Sequence, residues 1–286
     1  MLKQVLKRAV PERVIEQYRI IRHRILDKAD FQRYSSDLSF LSELRYDEIS
    51  FRIGTAIVLG ASLEHCIRII KQHTRIAGKN ILIIGCGKGD EIHRWVREEP
   101  SKVLAIDYLD YHQYWESIRY PNVEVFQADI RDCEIGEEVD LVVSKAVLEH
   151  IDGLEASFPN LIKPLRAGGY FWADLGPLYY TWGGAHAPLD YDHLTLSEDE
   201  YASKLSVTDY EEGKLFWQHQ LFSKLTYEQY MSCFDKYLDR RYVGLEISDE
   251  ALKYRETNRA DFNRLLLKYK ESDLLLKSIF YLGYKK

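Results

Sequence analysis

The sequence has few cysteines and no long apolar run, and each scarcity excludes a class of protein. The four cysteines among its 286 residues show no metal-ligand spacing, which favours reduced thiols over a disulfide framework. No stretch approaches the roughly 18 consecutive apolar residues that a membrane-spanning helix needs. Charged residues interrupt the apolar run at the start of the chain, so we expect no signal peptide and a cytoplasmic protein.

No segment rich in glycine, proline or serine separates two halves of the chain. Hydrophobic residues make up 46% and charged residues 29% of the sequence, as in an ordinary globular protein. The net charge of −6 argues against a protein that binds along the phosphate backbone of nucleic acids, so we expect no nucleic-acid partner.

The first 33 residues carry the opposite charge. They contain nine lysines and arginines against four acids, a net charge of +5, which leaves −11 for the remainder. A basic amphipathic segment can lie on an anionic membrane surface, so one interpretation is a peripheral membrane contact. The other is a solvated helix face that packs on the main domain.

Residues 1–79 are predicted to form an N-terminal helical lid. One of its helices is expected to carry five apolar residues at helical spacing, namely Ile53, Ile57, Leu63, Ile67 and Ile70. Residues 80–286 then form the main domain. Short apolar runs in it alternate with segments long enough for helices, which predicts a parallel sheet covered on both faces. The runs are residues 81–84, 103–106, 123–126, 141–143 and 170–172.

Residues 176–225 fit no regular period and are predicted to be an insertion after the fifth of these strands. The tail alternates again, with a helix (227–238), a strand (242–247), a long helix (249–270) and a last strand (278–284). The predicted fold is therefore α/β, a doubly wound, mostly parallel seven-stranded sheet with a C-terminal antiparallel pair and an N-terminal helical region.

The strongest local motif is Gly85-Cys86-Gly87-Lys88-Gly89, between a buried strand and a helix. Glycine permits the sharp turn and leaves room for a ligand where a Cβ would clash. Asp107 ends the next strand, 22 residues after the first glycine. A carboxylate at this edge faces the turn and can accept hydrogen bonds from both ribose hydroxyls.

Two kinds of enzyme share this geometry, a nicotinamide-dependent oxidoreductase and a methyltransferase that uses S-adenosylmethionine. The dinucleotide motif requires glycine or alanine where this chain has Asp90. A carboxylate there is unfavourable beside a pyrophosphate. S-adenosylmethionine has no phosphate, so the sequence favours the methyltransferase.

Over residues 80–175, and in outline over the C-terminal hairpin, the chain resembles the class I methyltransferase family. Residues 85–89 resemble its first motif, residues 126–130 its adenine-binding segment, residues 140–151 its fourth strand and exit loop, and residues 165–170 the turn before its fifth strand. The resemblance implies S-adenosylmethionine as cofactor, with Asp107 on the ribose and Asp129 on the adenine amino group. The cofactor-binding residues that it implies are Gly85, Cys86, Gly87, Gly89, Asp107, Tyr108, Asp129, Ile130, Ser144, Lys145 and His150.

The acceptor is expected near the loop after the fifth strand, because ligands of such sheets bind at the carboxyl ends of the strands. This loop resembles the corresponding loop of methyltransferases of surface-polysaccharide synthesis. We take His186 or His193 as the general base, oriented by Asp190 or Asp192. The expected platform for a sugar ring consists of Tyr179, Tyr180 and Trp182.

Core packing of the aromatics and structural roles for the histidines are the alternatives. The spacing of the histidines and aspartates matches no established metal-binding pattern, so no metal is predicted. The function predicted is O-methylation of a small molecule or a sugar-containing acceptor. A protein methyltransferase, a non-catalytic scaffold that binds the cofactor, and an NAD(P)-dependent oxidoreductase stay open as alternatives.

Overall fold

The structure is a computed structural model that describes residues 50–54, 59–187 and 189–286. Its strands are β1 (Ser50–Gly54), β2 (Asn80–Ile84), β3 (Lys102–Asp107), β4 (Val123–Gln127), β5 (Val139–Lys145), β6 (Leu165–Leu175), β7 (Asp239–Ser248) and β8 (Leu276–Tyr284). Its helices are α1 (Leu59–His73), α2 (Ile92–Val96), α3 (His112–Trp115), α4 (Leu154–Ile162), α5 (Asp192–Thr195), α6 (Glu198–Ser206), α7 (Glu211–Gln218), α8 (Tyr227–Asp235), α9 (Asp249–Thr257), α10 (Arg259–Leu265) and α11 (Glu271–Leu275). None of these helices is long and apolar enough to cross a membrane.

The strands form one sheet in the order β1-β7-β8-β6-β5-β2-β3-β4. β2 pairs in parallel with β3 and β5, and the parallel ladder continues to β4 on one side and to β6 on the other. β8 runs antiparallel to both β6 and β7. This arrangement confirms the predicted doubly wound, mostly parallel sheet with its C-terminal antiparallel pair.

The core lies on both faces of the sheet because its central strand is apolar throughout. Leu82 and Ile84 of β2 belong to one buried cluster, and Ile81 and Ile83 belong to the other. Successive side chains of a strand point to opposite faces, so an unbroken apolar run satisfies two helical layers at once. The carboxyl ends of β2, β3, β4 and β5 meet at one edge, where the predicted site residues lie.

β1 extends the predicted seven-stranded sheet by one edge strand, parallel to β7. The prediction that Ile53 belongs to a helix is wrong, because Ile53 pairs with Ile247 in the sheet and α1 begins at Leu59. A single apolar residue fits the spacing of a helix and that of a strand equally well. The pairing along the whole of β1 shows that Ile53 lies in a strand. The basic segment 1–33 and Ile57 lie outside the described residues, and the boundary at residue 79 stays a prediction.

The predicted long helix 249–270 is broken at Asn258, which has φ −120° and ψ 46°. Asn258 ends α9 and precedes α10. Asparagine favours such positions because its side chain competes for backbone hydrogen bonds. The predicted insertion contains α5, α6 and α7 around a small core of its own, which includes Tyr179, Tyr201 and Phe222.

Candidate active site

The turn between β2 and α2 is built on three glycines with positive φ. The turn glycines have positive φ angles, namely 76° at Gly85, 52° at Gly87 and 91° at Gly89. Residues that have a side chain rarely adopt this backbone region. A Cβ at Gly85 would collide with the side chain of Val147, and one at Gly89 would lie 2.5 Å from Ile118 Cδ1. A Cβ at Gly87 would meet no atom within 4 Å. Packing therefore explains two of the glycines, whereas Gly87 borders open space in which a ligand can lie.

Asp107, at the end of β3, closes one side of this space. Its Oδ2 accepts a hydrogen bond from Gly87 N at 2.7 Å, and its Oδ1 accepts one from Leu109 N at 2.9 Å. Burial raises the pKa of this carboxyl group, and the backbone donors oppose the shift. Each carboxylate oxygen has a second lone pair, so Asp107 can still accept hydrogen bonds from a ribose. The structure thus brings two predicted cofactor-binding residues, Gly87 and Asp107, into direct contact.

The predicted adenine segment lies beside Asp107, because Asp107 O accepts a hydrogen bond from Ala128 N at 2.9 Å. Ile130 is 6% exposed and packs in the core. Asp129 forms an ion pair with Arg131, with 2.7 Å between Oδ2 and Nη2, and this pair lowers the pKa of Asp129. The carboxylate therefore stays ionised and is held at the edge of the sheet.

The sequence analysis missed Arg131. Its guanidinium group also lies over the ring of Tyr108, 5.8 Å from the ring centroid, and Tyr108 is 55% exposed. The spacing Asp-x-Arg was the available signal, since an arginine two residues after a turn aspartate can fold back onto its carboxylate. Arg131 thus holds two predicted cofactor residues, Asp129 and Tyr108, at the mouth of the site.

Ser144 and Lys145 end β5 next to the glycine turn, since Ser144 pairs with Ile84 at the end of β2. Ser144 is 1% exposed, and its Oγ has no hydrogen-bond partner among the described residues. Burial raises the pKa of the Cys86 thiol to about 12. The Cys86 side chain is therefore a neutral packing group at this point of the turn.

His150 follows β5 and faces the insertion. Its Nδ1 lies 3.0 Å from Leu221 O, and since a carbonyl oxygen only accepts, Nδ1 carries the hydrogen. Its Nε2 then has a lone pair and can accept a proton. Burial lowers the pKa of His150, so the ring is neutral at pH 7. Its ring centroid is 4.6 Å from that of His186 and 4.1 Å from that of Phe216.

The two histidines predicted as bases have different surroundings. Burial lowers the pKa of His186 to about 3, and its Nε2 has no hydrogen-bond partner among the described residues. His193 is 7% exposed, its Nε2 donates to Tyr179 O at 2.6 Å, and burial lowers its pKa to about 4. His193 is thus held in the core of the insertion, whereas His186 contacts His150.

The predicted aspartates have hydrogen-bond partners other than these histidines, although burial lowers the pKa of His193 and the charge of Asp192 opposes this shift. Asp190 accepts a hydrogen bond from Trp182 Nε1 at 2.8 Å, and Asp192 forms an ion pair with Lys204. Neither aspartate shares a hydrogen bond with His186 or His193 in the part of the chain that the structure describes. An orienting role for Asp190 or Asp192 stays a prediction.

The predicted aromatic platform is not flat. Tyr179 packs in the core of the insertion, and its ring is perpendicular to that of Tyr180, with an interplanar angle of 84°. Tyr180 donates through its hydroxyl group to Lys224 O at 3.0 Å. The half-buried rings of Tyr180 and Trp182 are the parts of this cluster that a sugar could contact.

The sequence analysis did not single out three acids at this edge, namely Glu149 and Asp174, which are buried, and Glu91, which is half-buried. Glu149 is 3% and Asp174 8% exposed. Burial raises the pKa of Glu149 to about 8 and that of Glu91 to about 7. The one sequence signal was that Asp174 lies at the end of a strand, as Asp107 does. The described residues contain no group of three acids, histidines or cysteines placed to bind a metal.

Comparisons with known proteins show what the central part of the chain is similar to. Residues 82–173 match the family model described as "Methyltransferase domain". The curated dTDP-4-amino-2,3,4,6-tetradeoxy-D-glucose N,N-dimethyltransferase of Saccharopolyspora spinosa is 28% identical over 95 residues, which are 32% of this chain and 38% of that protein. The tRNA U34 carboxymethyltransferase of Alteromonas mediterranea is 27% identical over 112 residues, 36% of this chain and 34% of that protein. The chain thus matches about a third of the length of either relative.

The whole fold also has solved counterparts. An S-adenosylmethionine dependent methyltransferase from Mesorhizobium loti superposes with a TM-score of 0.51 and 15% identity, over 80% of this chain and 100% of that one. One from Listeria monocytogenes has a TM-score of 0.51 and 16% identity, over 79% of this chain and 99% of that one. At these identities the likeness shows the fold.

Proposed function

We propose that the chain, whose residues 82–173 match the methyltransferase-domain model, uses S-adenosylmethionine to methylate a hydroxyl group of a small, sugar-containing molecule. The observation that carries this proposal is a pair of neutral histidines, His150 and His186, which pack against each other after β5 and in the insertion. A hydroxyl acceptor must lose a proton on methylation, and a neutral imidazole can take it.

The residues present fit S-adenosylmethionine. Gly87 leaves open space, Asp107 can accept from the ribose hydroxyls, and Asp129 and Ile130 lie beside it for the adenine ring. The cofactor supplies a sulfonium methyl group for in-line transfer. The protein's part is to hold the acceptor in line, which can contribute about 7–11 kcal/mol to lowering the barrier.

We propose that His186 and His150 together form the proton-accepting unit. The carbonyl of Leu221 fixes the hydrogen of His150 on Nδ1, which leaves Nε2 to accept. His186 packs against this ring and keeps it in place. His193 has a structural role in this proposal, since its Nε2 hydrogen is engaged by Tyr179.

The test compares histidine variants with an acceptor panel of sugar nucleotides and small phenols. His186→Ala should keep cofactor binding and cut turnover by roughly 10² or more, and His150→Ala should cut turnover by at least as much. His219→Ala changes an exposed histidine of the same insertion and should behave as wild type. Normal methylation by both site variants would rule out the histidine base.

An amine acceptor is the second candidate, favoured by the similarity to an enzyme named as an N,N-dimethyltransferase of an aminosugar. A neutral amine can be methylated without a base in the transition state, so turnover on amino sugars should survive both histidine substitutions. Transfer RNA belongs in the same panel because the second curated relative acts on it. Methylation of tRNA alone would contradict the small-molecule proposal.

A further inference from the structure

The glycine turn receives no polar support from the strand before it, since residues 81–84 of β2 are all apolar. Its support comes from residues 107–118, the segment that follows β3. We propose that Trp115 of this segment is a positioning residue for the cofactor, because its indole group fixes the peptide group of Gly87 beside the open space. This inference deepens the proposed function and rests on it, since it concerns the binding of S-adenosylmethionine.

The backbone amides of the turn are attached to the end of β3. Gly85 N and Cys86 N both donate to Ile106 O, at 2.8 Å and 3.1 Å. The next amide, Gly87 N, donates to Asp107 Oδ2 at 2.7 Å. These three hydrogen bonds hold the N–H groups of the turn, whereas the carbonyl oxygen of Gly87 needs a donor from elsewhere.

Trp115, at the end of α3, supplies this donor. Its Nε1 donates to Gly87 O at 2.7 Å, and its side chain is buried, with 5% of the residue exposed. The other donor to this oxygen among the described residues is the thiol of Cys86, whose Sγ is 3.8 Å away, and a thiol is a weak donor. Glycine allows its peptide groups to rotate more freely than other residues do. The indole N–H is therefore the main contact that fixes the carbonyl group of Gly87.

The ring of Trp115 is itself held by its neighbours. A Cβ at Gly89 would lie 3.6 Å from Trp115 Cδ1 and 2.5 Å from Ile118 Cδ1, so both side chains pack against this glycine. On another side, the ring of Tyr111 contacts that of Trp115 edge to face, with 6.4 Å between the centroids. The indole group thus reaches Gly87 from a packed position, and the direction of its N–H is fixed.

The two hydrogen bonds of Gly87 act on the two ends of one residue. Asp107 accepts from its N–H group and Trp115 donates to its C=O group, so the residue is held on both sides at its φ of 52°. A Cβ at Gly87 would meet no atom within 4 Å, and the turn therefore borders the open space at this residue. A surface that is already ordered before the ligand arrives loses less affinity to ordering on binding. Loss of the indole N–H should therefore weaken cofactor binding.

A pair of tryptophan variants tests this role. Trp115→Phe keeps an aromatic ring and removes the N–H group. Trp95→Phe is the matched control, because Trp95 is buried in the same cluster and its Nε1 has no hydrogen-bond partner among the described residues. In calorimetric titrations with S-adenosylhomocysteine, Trp115→Phe should bind about three- to tenfold more weakly than the wild type, and Trp95→Phe should match it. Equal affinities in the two variants, reduced or not, would overturn the inference.

A second measurement uses the wild-type protein and does not depend on the folding of a variant. The indole N–H signal of Trp115 is followed by heteronuclear NMR, assigned through its proximity to Tyr111, with the signal of Trp95 as reference. S-adenosylhomocysteine should shift the Trp115 signal, since a ligand on Gly87 changes the carbonyl group that accepts this hydrogen bond. An unshifted Trp115 signal at saturation would overturn the inference. Failure of S-adenosylhomocysteine to bind at all would instead contradict the proposed methyltransferase function.

Discussion

Gly87 is the residue whose missing side chain matters most to the site. Its φ of 52° and the empty space around it distinguish it from Gly85 and Gly89, which their neighbours already require. Gly78 provides a matched control, because it also has a positive φ, of 78°, and a Cβ placed there would meet no atom within 4 Å. The two glycines differ in place, since Gly78 precedes β2 and Gly87 follows it.

We expect Gly87→Ala and Gly78→Ala to lower stability by a similar amount, about 1–2 kcal/mol each, because both place a Cβ in the left-handed region. Only Gly87→Ala should weaken cofactor binding, by about tenfold or more, since its methyl group enters the ligand space. Denaturation and calorimetry of both variants provide the measurement. Equal cofactor affinities in the two variants would place the ligand elsewhere.

The insertion between β6 and α8 acts at the scale of elements. Its helix α7 places Phe216 against His150, and the residue Leu221 after this helix accepts the Nδ1 hydrogen. The insertion follows β6 in the chain, and it nevertheless orients His150, which follows β5. The ring of His150 is therefore held in place only when the insertion is folded.

Phe216→Ala should reduce turnover by about fivefold, since an aromatic contact of this kind contributes about 1 kcal/mol and 1.4 kcal/mol corresponds to a factor of ten. Cofactor affinity should be unchanged, because Phe216 lies on the acceptor side. Leu215→Ala, on an exposed neighbour in the same helix, is the control. A matching loss of turnover in Leu215→Ala would indicate general destabilisation of α7.

The sequence predicts some helices and strands of the fold and not others. The five parallel strands follow from short apolar runs, because strands covered on both faces have no other pattern. β1 could not be predicted, since its five residues acquire strand character only by pairing with β7. The break at Asn258 was also missed, because helical spacing of apolar residues continues across it. The buried state of Glu149 comes from tertiary contacts with α8 and β6, which a single local motif does not encode.

At the scale of the whole molecule, buried titratable groups make stability depend on pH in two directions. Burial holds the pKa of His186 at about 3 and that of His193 at about 4, below the ordinary 6.5, so the folded state binds fewer protons and stability falls as the pH drops below 6.5. Burial raises the pKa of Glu149 from 4.5 to about 8. The contribution of this group to the free energy of unfolding is therefore full below pH 4.5 and is lost as the pH rises to about 8.

Glu149→Gln should therefore flatten the alkaline side of the stability profile. Its melting temperature should exceed that of the wild type by several degrees at about pH 9 and by less at about pH 5, since only the ionised carboxylate is unfavourable when buried. Thermal denaturation across this range, with Glu155→Gln as control, measures the difference. Parallel profiles for Glu149→Gln and the wild type would show that Glu149 is not buried as described.

The basic charge of residues 1–33 is a feature of the whole chain that lies outside the described residues. The membrane hypothesis predicts that the protein floats with vesicles of anionic lipid and is released by salt, because surface electrostatics are screened within about 8 Å at physiological ionic strength. Vesicles of neutral lipid are the control. Absence of salt-sensitive retention would favour the solvated helix face.

The central claim is that the open space bordered by Gly87 and Asp107 accepts a sulfonium nucleoside and not a dinucleotide. Calorimetric titration of the wild-type protein with S-adenosylmethionine, S-adenosylhomocysteine and NAD tests it most directly. We predict saturable binding of the first two ligands and none of NAD, because Asp90 opposes a pyrophosphate at the start of α2. Binding of NAD alone, or no response to S-adenosylmethionine at millimolar concentration, would contradict the account.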